Sequence, residues 1–413
     1  MLSRTGVWNP SPRDDHAEHG IRLGGAVSDT MRSLLVSTYY PPEHGGISHY
    51  MASVARALGP ARVSCLTNVL EDRSSAGDAD GGIHVYRRPR AFATSKLTQA
   101  LGVATTIGEI MLRERPQTVQ LATATSEGYF GLWLRRWLGL PFVIYAHGNE
   151  VLQAMKTSWP VPRQALVSAD RVFANSRFTA GLVEKAGVAP ERVVIIHPGC
   201  DADTFHPADR DEAVRRRLLG DRPPGPILLS VGGLVPRKGQ DMVIRALPAL
   251  LKRHPALVYL LVGEGRHRIP LEKLIRDVGV GDHVVLTGEV SDVPLEHVYA
   301  LCDVFIMASR EQLDLCDLEG FGMVFLEANA CGKAVIGGRS GGIADAVLDG
   351  ETGLLVDPHA PEAIAVAVDR LLSDPALAAR MGAQGRARIL RELTWDRVAD
   401  QVEATLRELT ARR

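Results

Sequence analysis

Residues 317–342, DLEGFGMVFLEANACGKAVIGGRSGG, read as a loop, a helix opened by Gly322, a buried strand at 333–336 and a second glycine-rich loop opening another helix. Glu319 precedes the first helix, so its carboxylate can point outward from the tip. Glu327 lies inside that helix, beyond a full turn. The first amides of a helix have no intrahelical partner and carry the positive end of the dipole, so Gly322 and Met323 present donors suited to phosphate. Two carboxylates beside a phosphate repel it and must face something else, for which sugar hydroxyls are natural partners. The stretch therefore implies a ligand that is part phosphate and part polyol.

Phe321, Met323, Val324, Phe325 and Leu326 are too apolar for an exposed helix. A glutamate among them needs a partner or a site. Gly338-Arg339-Ser340-Gly341-Gly342 also satisfies G-x-S-x-G between a strand and a helix, as in a hydrolase nucleophile elbow. That reading needs a downstream acid and histidine, and after Ser340 the only histidine is His359, close to Asp357. It is kept as a minor alternative.

The chain has 413 residues, enough for two domains. Its 47 Lys+Arg against 48 Asp+Glu argue against nucleic acid as a partner. No apolar run is long enough to cross a membrane as a helix. Cys65, Cys200, Cys302, Cys316 and Cys331 are scattered without C-x-x-C pairing, which argues against a zinc site or a disulfide framework and fits the cytoplasm. Residues 1–30 are polar and proline-containing without the apolar centre of a secretory signal, and are expected to be a disordered, dispensable extension.

Strands at 33–38, 62–66, 83–86, 118–121, 142–145, 171–174 and 193–196 alternate with helices at 47–58, 97–113, 127–138 and 179–186. The alternation is α/β, a doubly wound parallel sheet whose ligand lies beyond the strands' carboxyl ends. Gly45-Gly46, His147-Gly148-Asn149-Glu150 and Asn175-Ser176 sit there. The pattern breaks between His197 and Pro226, a linker rich in Pro, Asp and Arg. It restarts at 227–231, followed by GGLVPRKG at 232–239 and a helix at 240–251. Strands at 257–262, 283–286, 304–307 and 334–336 complete a second domain. Arg237 and Lys238, beyond its first strand, read as phosphate ligands. The domains expected are 31–215 and 216–393, followed by a terminal helix in 394–413. Residues 129–140, YFGLWLRRWLGL, fit either an interfacial helix or one packed on the sheet with two exposed arginines.

GGIS, YAHGNE, ANSRFTA, HPGCDADTFHP, LVPRKGQD, EGFGMVFLEANACGKAVIGGRSGG and DGETGLLVDP together resemble glycosyltransferase family 4. The resemblance runs from about residue 33 to the C-terminus and implies a retaining, metal-independent hexosyltransferase of the GT-B fold, two Rossmann-like domains facing a cleft. The wording is similar to that of the actinobacterial phosphatidylinositol-mannoside mannosyltransferases, which use GDP-mannose; UDP-sugar use within the family stays open. The resemblance places Glu327 on the nucleotide ribose, Glu319 beside the donor sugar, and the amides of Gly320, Phe321, Gly322 and Met323 on sugar and diphosphate. It places Lys238 on the diphosphate, His147 near the transferred sugar, and Gly45 and Gly46 at the meeting of donor and acceptor. His147, Lys238 and Glu319 are then the catalytic candidates, with Arg237 as a further phosphate ligand. Many relatives carry arginine where this chain has Gly233; either Arg237 supplies that charge or the diphosphate is held more weakly.

The donor is a nucleotide sugar acting as substrate, with no cofactor. The acceptor is a hydroxyl of a glycan, glycolipid or small molecule, bound by the first domain. The last helix is expected to cross back onto that domain. The implied place is the cytoplasm, with peripheral contact at the inner membrane face compatible with residues 129–140. A glycosidase using Glu319 and Glu327 is disfavoured, because nothing makes them flank one bond. An inactive binding relative is the non-enzymatic alternative.

Overall fold

Short runs of branched apolar residues bounded by glycine and polar turns suit strands covered on both faces, as in parallel sheets. A computed structural model describes residues 31–43, 45–68, 78–88 and 97–411; the expected extension at 1–30 lies outside them. The first sheet holds β1 (Ser33–Val36), β2 (Val63–Asn68), β3 (Asp78–Asp80), β4 (Ile83–Arg88), β5 (Thr118–Leu121), β6 (Phe142–Ala146), β7 (Arg171–Ala174) and β8 (Val193–Ile195). In the order β3-β4-β2-β1-β5-β6-β7-β8, all pairings are parallel except β3 with β4. Its helices are α1 (Gly46–Leu58), α2 (Leu97–Arg113), α3 (Gly128–Leu138), α4 (Asn149–Lys156), α5 (Val161–Ser168) and α6 (Arg177–Lys185).

The second domain begins with α7 (Glu212–Leu219), then β9 (Ile227–Val231), α8 (Gln240–Leu251), β10 (Val258–Val262), α9 (Arg268–Val278), β11 (Val284–Gly288), α10 (Leu295–Leu301) and β12 (Val304–Met307). It continues through α11 (Met323–Ala330), β13 (Ala334–Gly338), α12 (Ile343–Ala346), β14 (Gly353–Val356), α13 (Pro361–Ser373), α14 (Pro375–Glu392) and α15 (Trp395–Ala411). Its all-parallel order is β11-β10-β9-β12-β13-β14. Strand order reverses between β1 and β5 and between β9 and β12, so each sheet opens a crevice at its carboxyl edge.

The chain returns to its start at the end. Cys200 donates its amide to the Leu393 carbonyl at 2.8 Å. Val398, Val402, Leu406 and Leu409 of α15 are then buried with Met51, Val54 and Leu58 of α1. This apolar stripe at helical spacing joins the last helix to the first domain.

Several local expectations need correction. The polar stretch between His197 and Pro226 contains α7, because Asp211 caps it by accepting from Ala213 and Val214, and Leu218 and Leu219 are buried in the second core. α4, α5, α9, α10, β3 and β14 go beyond the elements read from the sequence, and all but α9 have too few residues for a clear period. β13 runs on to Gly338, held by its pairing to β14. α12 is only one turn. In α3, Phe130 and Leu134 are buried, whereas Tyr129 and Trp137 are exposed. Arg135 is not free: it bonds the Ser168 carbonyl and pairs with Asp170 at 2.5 Å. Among the described residues no helix is long and apolar enough to cross a membrane.

Candidate functional site

Asp317, Leu318 and Glu319 lead towards the N-terminus of α11, and their side chains face alternate domains. Leu318 is buried among the first domain's residues, while the flanking carboxylates face the second domain's cations. The Pro236–Lys238 turn after β9 supplies those cations. Glu319 Oε2 lies 2.7 Å from Arg237 Nη1 and 2.5 Å from Lys238 Nζ. Arg237 Nε lies 2.8 Å from Asp317 Oδ1. Burial pushes the Glu319 carboxyl up, but Lys238 and Arg237 outweigh it and hold the group at about 2. Burial lowers the Lys238 ammonium below its ordinary value, opposed by Glu319. Glu319 thus marks where a negative charge is favoured, between two cations at the mouth of a helix.

Gly322 caps α11 with φ 95°, a left-handed conformation that glycine adopts without strain. Any side chain on Gly320 would strike the His147 carbonyl, since a Cβ there would stand 1.9 Å from that oxygen. The loop carrying Gly320 and the segment just after β6 therefore touch backbone to backbone. Phe321 offers the site only its main chain, because its ring is buried against His197. One turn into α11, Glu327 Oε2 accepts from the Tyr299 hydroxyl of α10 at 2.6 Å. Burial raises the Glu327 carboxyl, with the Tyr299 bond and Lys238 opposing.

The first domain closes the cleft. His147 Nε2 lies 3.1 Å from the Ala122 carbonyl. A carbonyl only accepts, so Nε2 carries the proton and a neutral ring leaves Nδ1 as an acceptor. Tyr50 packs edge-on against His147 at 5.3 Å and against Trp395 at 5.5 Å, so α1 and α15 steady this ring. A Cβ on Gly46 would lie 3.7 Å from Met323 Cε, bringing the glycine loop to the start of α11. Gly45, with φ 141°, precedes α1. Asn149 Oδ1 accepts from Leu318 N at 2.9 Å, and Asp345 takes the Arg177 amide and Nε at 2.5 Å each. All three bonds cross the cleft. A cavity of about 760 Å3, lined by Asn149, Gln153, Val235, Arg237, Arg266 and Asp317 among others, opens between the domains.

The fold thus gathers Arg237, Lys238 and Glu319 into one cluster beside α11, with Gly46 and His147 reaching it from the other domain. Glu327 stands apart from the ion pairs, on Tyr299. Asp317 and Tyr299 are not among the site residues read from the sequence, and Asn149 enters there only as part of the loop after β6. The acid–apolar–acid alternation at 317–319 signals Asp317, whereas nothing local signals Tyr299. The hydrolase elbow finds no support: the Ser340 hydroxyl has no partner among the described residues, and exposed His359 bonds only through its amide to Asp357. The motif has another use. Gly342 N donates to the Glu319 carbonyl at 2.9 Å, and a Cβ on Gly342 would stand 1.8 Å from the Gly320 carbonyl. The glycines let this loop buttress the one carrying Glu319. Glu319 and Glu327 have opposite pKa shifts, as acid–base pairs do, but Glu319 is already bonded to two cations.

The family model described as Glycosyltransferase Family 4 matches residues 44–204, and that described as Glycosyl transferases group 1 matches residues 213–388. The chain is 37% identical over 374 residues to the GDP-mannose-dependent alpha-(1-6)-phosphatidylinositol monomannoside mannosyltransferase of Mycolicibacterium smegmatis, covering 88% of this chain and 94% of that one. It is 33% identical to the protein of the same description from Mycobacterium tuberculosis, covering 91% and 98%. In fold it resembles sucrose-phosphate synthase from Thermosynechococcus elongatus, with TM-score 0.76, 24% identity and coverage of 93% and 100%. Two facing doubly wound domains with this cleft define the GT-B class of glycosyltransferase. The chain belongs to glycosyltransferase family 4, and it is a glycosyl-transferring enzyme.

Proposed function

We propose that the enzyme transfers mannose from GDP-mannose to a hydroxyl of a phosphatidylinositol-mannoside-type glycolipid, with retention of the anomeric configuration. The observation that carries the donor side is the convergence of Arg237 and Lys238 on one carboxylate oxygen at the start of α11. A diphosphate replaces that carboxylate and meets two cations and the helix amides together. Glu327, freed to accept from both ribose hydroxyls, fixes the nucleoside. The relatives named above support the choice of mannose and of a glycolipid. The exposed Tyr129 and Trp137 of α3 are compatible with a peripheral approach to a lipid surface.

In the reaction the bond from the anomeric carbon to the β-phosphate oxygen breaks, and its electron pair stays on the phosphate. Lys238 and Arg237 stabilise this growing charge, where preorganised electrostatics contribute most. The acceptor oxygen forms the new bond from the same face, and its proton passes to the leaving phosphate oxygen. Glu319 lies beside the sugar, and the His147 Nδ1 lone pair accepts from a sugar hydroxyl. No metal is required in this scheme.

The test is transfer from a panel of GDP- and UDP-sugars to phosphatidylinositol mannoside, with the product anomer read by NMR. An α-mannoside formed from GDP-mannose is the expected result. A β-product contradicts retention, and transfer from UDP-sugars alone contradicts the donor.

A further inference from the structure

Gly233 has no conformational need to be glycine: a Cβ there would meet only the Glu264 carbonyl at 3.7 Å, an ordinary contact. The position has room for a longer side chain. Arg237 supplies the second cation of the cluster, and its guanidinium is fixed in a particular way. Asp317 takes Nε at 2.8 Å, leaving the outer nitrogens for an anion. The Arg237 carbonyl is held by Arg310 N at 2.8 Å, and the Arg310 side chain is anchored by Asp241 at 3.1 Å. Asp317 is itself fixed from both sides, since it exchanges two backbone hydrogen bonds with Gln312, at 2.8 and 3.2 Å, and the next amide is held by Asn149 of the other domain.

We infer that Asp317 is a positioning residue that sets the Arg237 guanidinium as the second diphosphate-binding cation. The inference rests on the diphosphate reading of the Arg237–Lys238–Glu319 cluster. When the donor displaces Glu319 from Arg237, Asp317 keeps the guanidinium aimed, so less side-chain freedom is lost on binding. Simple charge counting points the other way, because a carboxylate near a phosphate should weaken anion binding. The two accounts differ in sign.

The experiment is calorimetric binding of GDP to the full chain and to variants whose folding is checked by thermal melting. Asp317→Ala is expected to weaken GDP about tenfold, the scale of one charge-assisted contact. Asp317→Asn, which keeps the shape and an acceptor oxygen, gives a smaller loss in the same direction. Adding Gly233→Arg to Asp317→Ala restores binding, which a general structural defect would not allow. Lys238→Ala serves as the control for the site itself. If Lys238→Ala leaves GDP binding unchanged, the diphosphate reading falls and this inference with it. If Lys238→Ala weakens GDP while Asp317→Ala or Asp317→Asn binds it as tightly as the parent or tighter, the inference alone is overturned. Failure of Gly233→Arg to restore binding likewise overturns it.

Discussion

Leu318 of the second domain closes on Gly148 of the first so tightly that a Cβ on Gly148 would stand 2.8 Å from Leu318 Cδ1. Leu318 lies between the two carboxylates that hold the cation pair, so one tripeptide both carries the partners of Arg237 and Lys238 and plugs into the opposite domain.

Leu318→Ala removes this plug. Loss of a buried leucine side chain costs about 2–5 kcal/mol where the site cannot collapse, and here much of that cost falls on the closed arrangement. A larger radius of gyration by small-angle scattering and weaker GDP binding are expected, with little change in the melting of either domain. Unchanged scattering and affinity would show that the plug does not govern closure.

Glu327→Gln is predicted to weaken donor binding about tenfold or more, since charged hydrogen bonds are worth roughly 1.5–3 kcal/mol each. Because burial raises the Glu327 carboxyl, protonation reaches it at a higher pH than an ordinary glutamate. Donor affinity in the parent should therefore fall on the acid side, and Glu327→Gln should lose that dependence. Titration of binding against pH in both proteins checks the pair. An identical acid limb in the variant would remove Glu327 from the ribose.

Glu319 titrates the opposite way. Its folded value of about 2 lies below its ordinary 4.5, so the stability it contributes is fully present above about 4.5 and is lost as pH falls through 2. The difference in unfolding free energy between the parent and Glu319→Gln should be constant from pH 5 to 7 and shrink below that. A difference that grows on acidification would contradict the ion-pair account.

Ser340→Ala should leave transfer almost unchanged, whereas Gly342→Ala should largely abolish it by forcing the Glu319–Gly320 loop away. Side-by-side rates of mannosyl transfer and ester hydrolysis make the comparison. Ester hydrolysis that vanishes with Ser340→Ala would revive the nucleophile reading.

Most strands of the two sheets are legible as short apolar runs. The starts of the domains are the clearest, where a run is followed by paired glycines and a helical stretch, as at 33–58 and 227–251; β3 and β14 are too short to stand out. The start of α11 was legible through Gly322. Asp317 is readable in principle, since extended backbone puts residues two apart on one face, but a loop carries no periodicity that singles it out. Tyr299 reaches Glu327 through the packing of α10 on α11, and no local pattern encodes that contact. The elbow-like glycines misled because close backbone approach and a strained nucleophile turn both call for glycine.

The central claim, that Lys238 stabilises the departing diphosphate, is tested most directly by Lys238→Ala with GDP-mannose, measuring turnover and donor dissociation constant separately. Charge on the phosphate grows during reaction, so kcat should fall on the order of a hundredfold while GDP-mannose affinity changes much less. Full turnover in the folded variant would contradict the account.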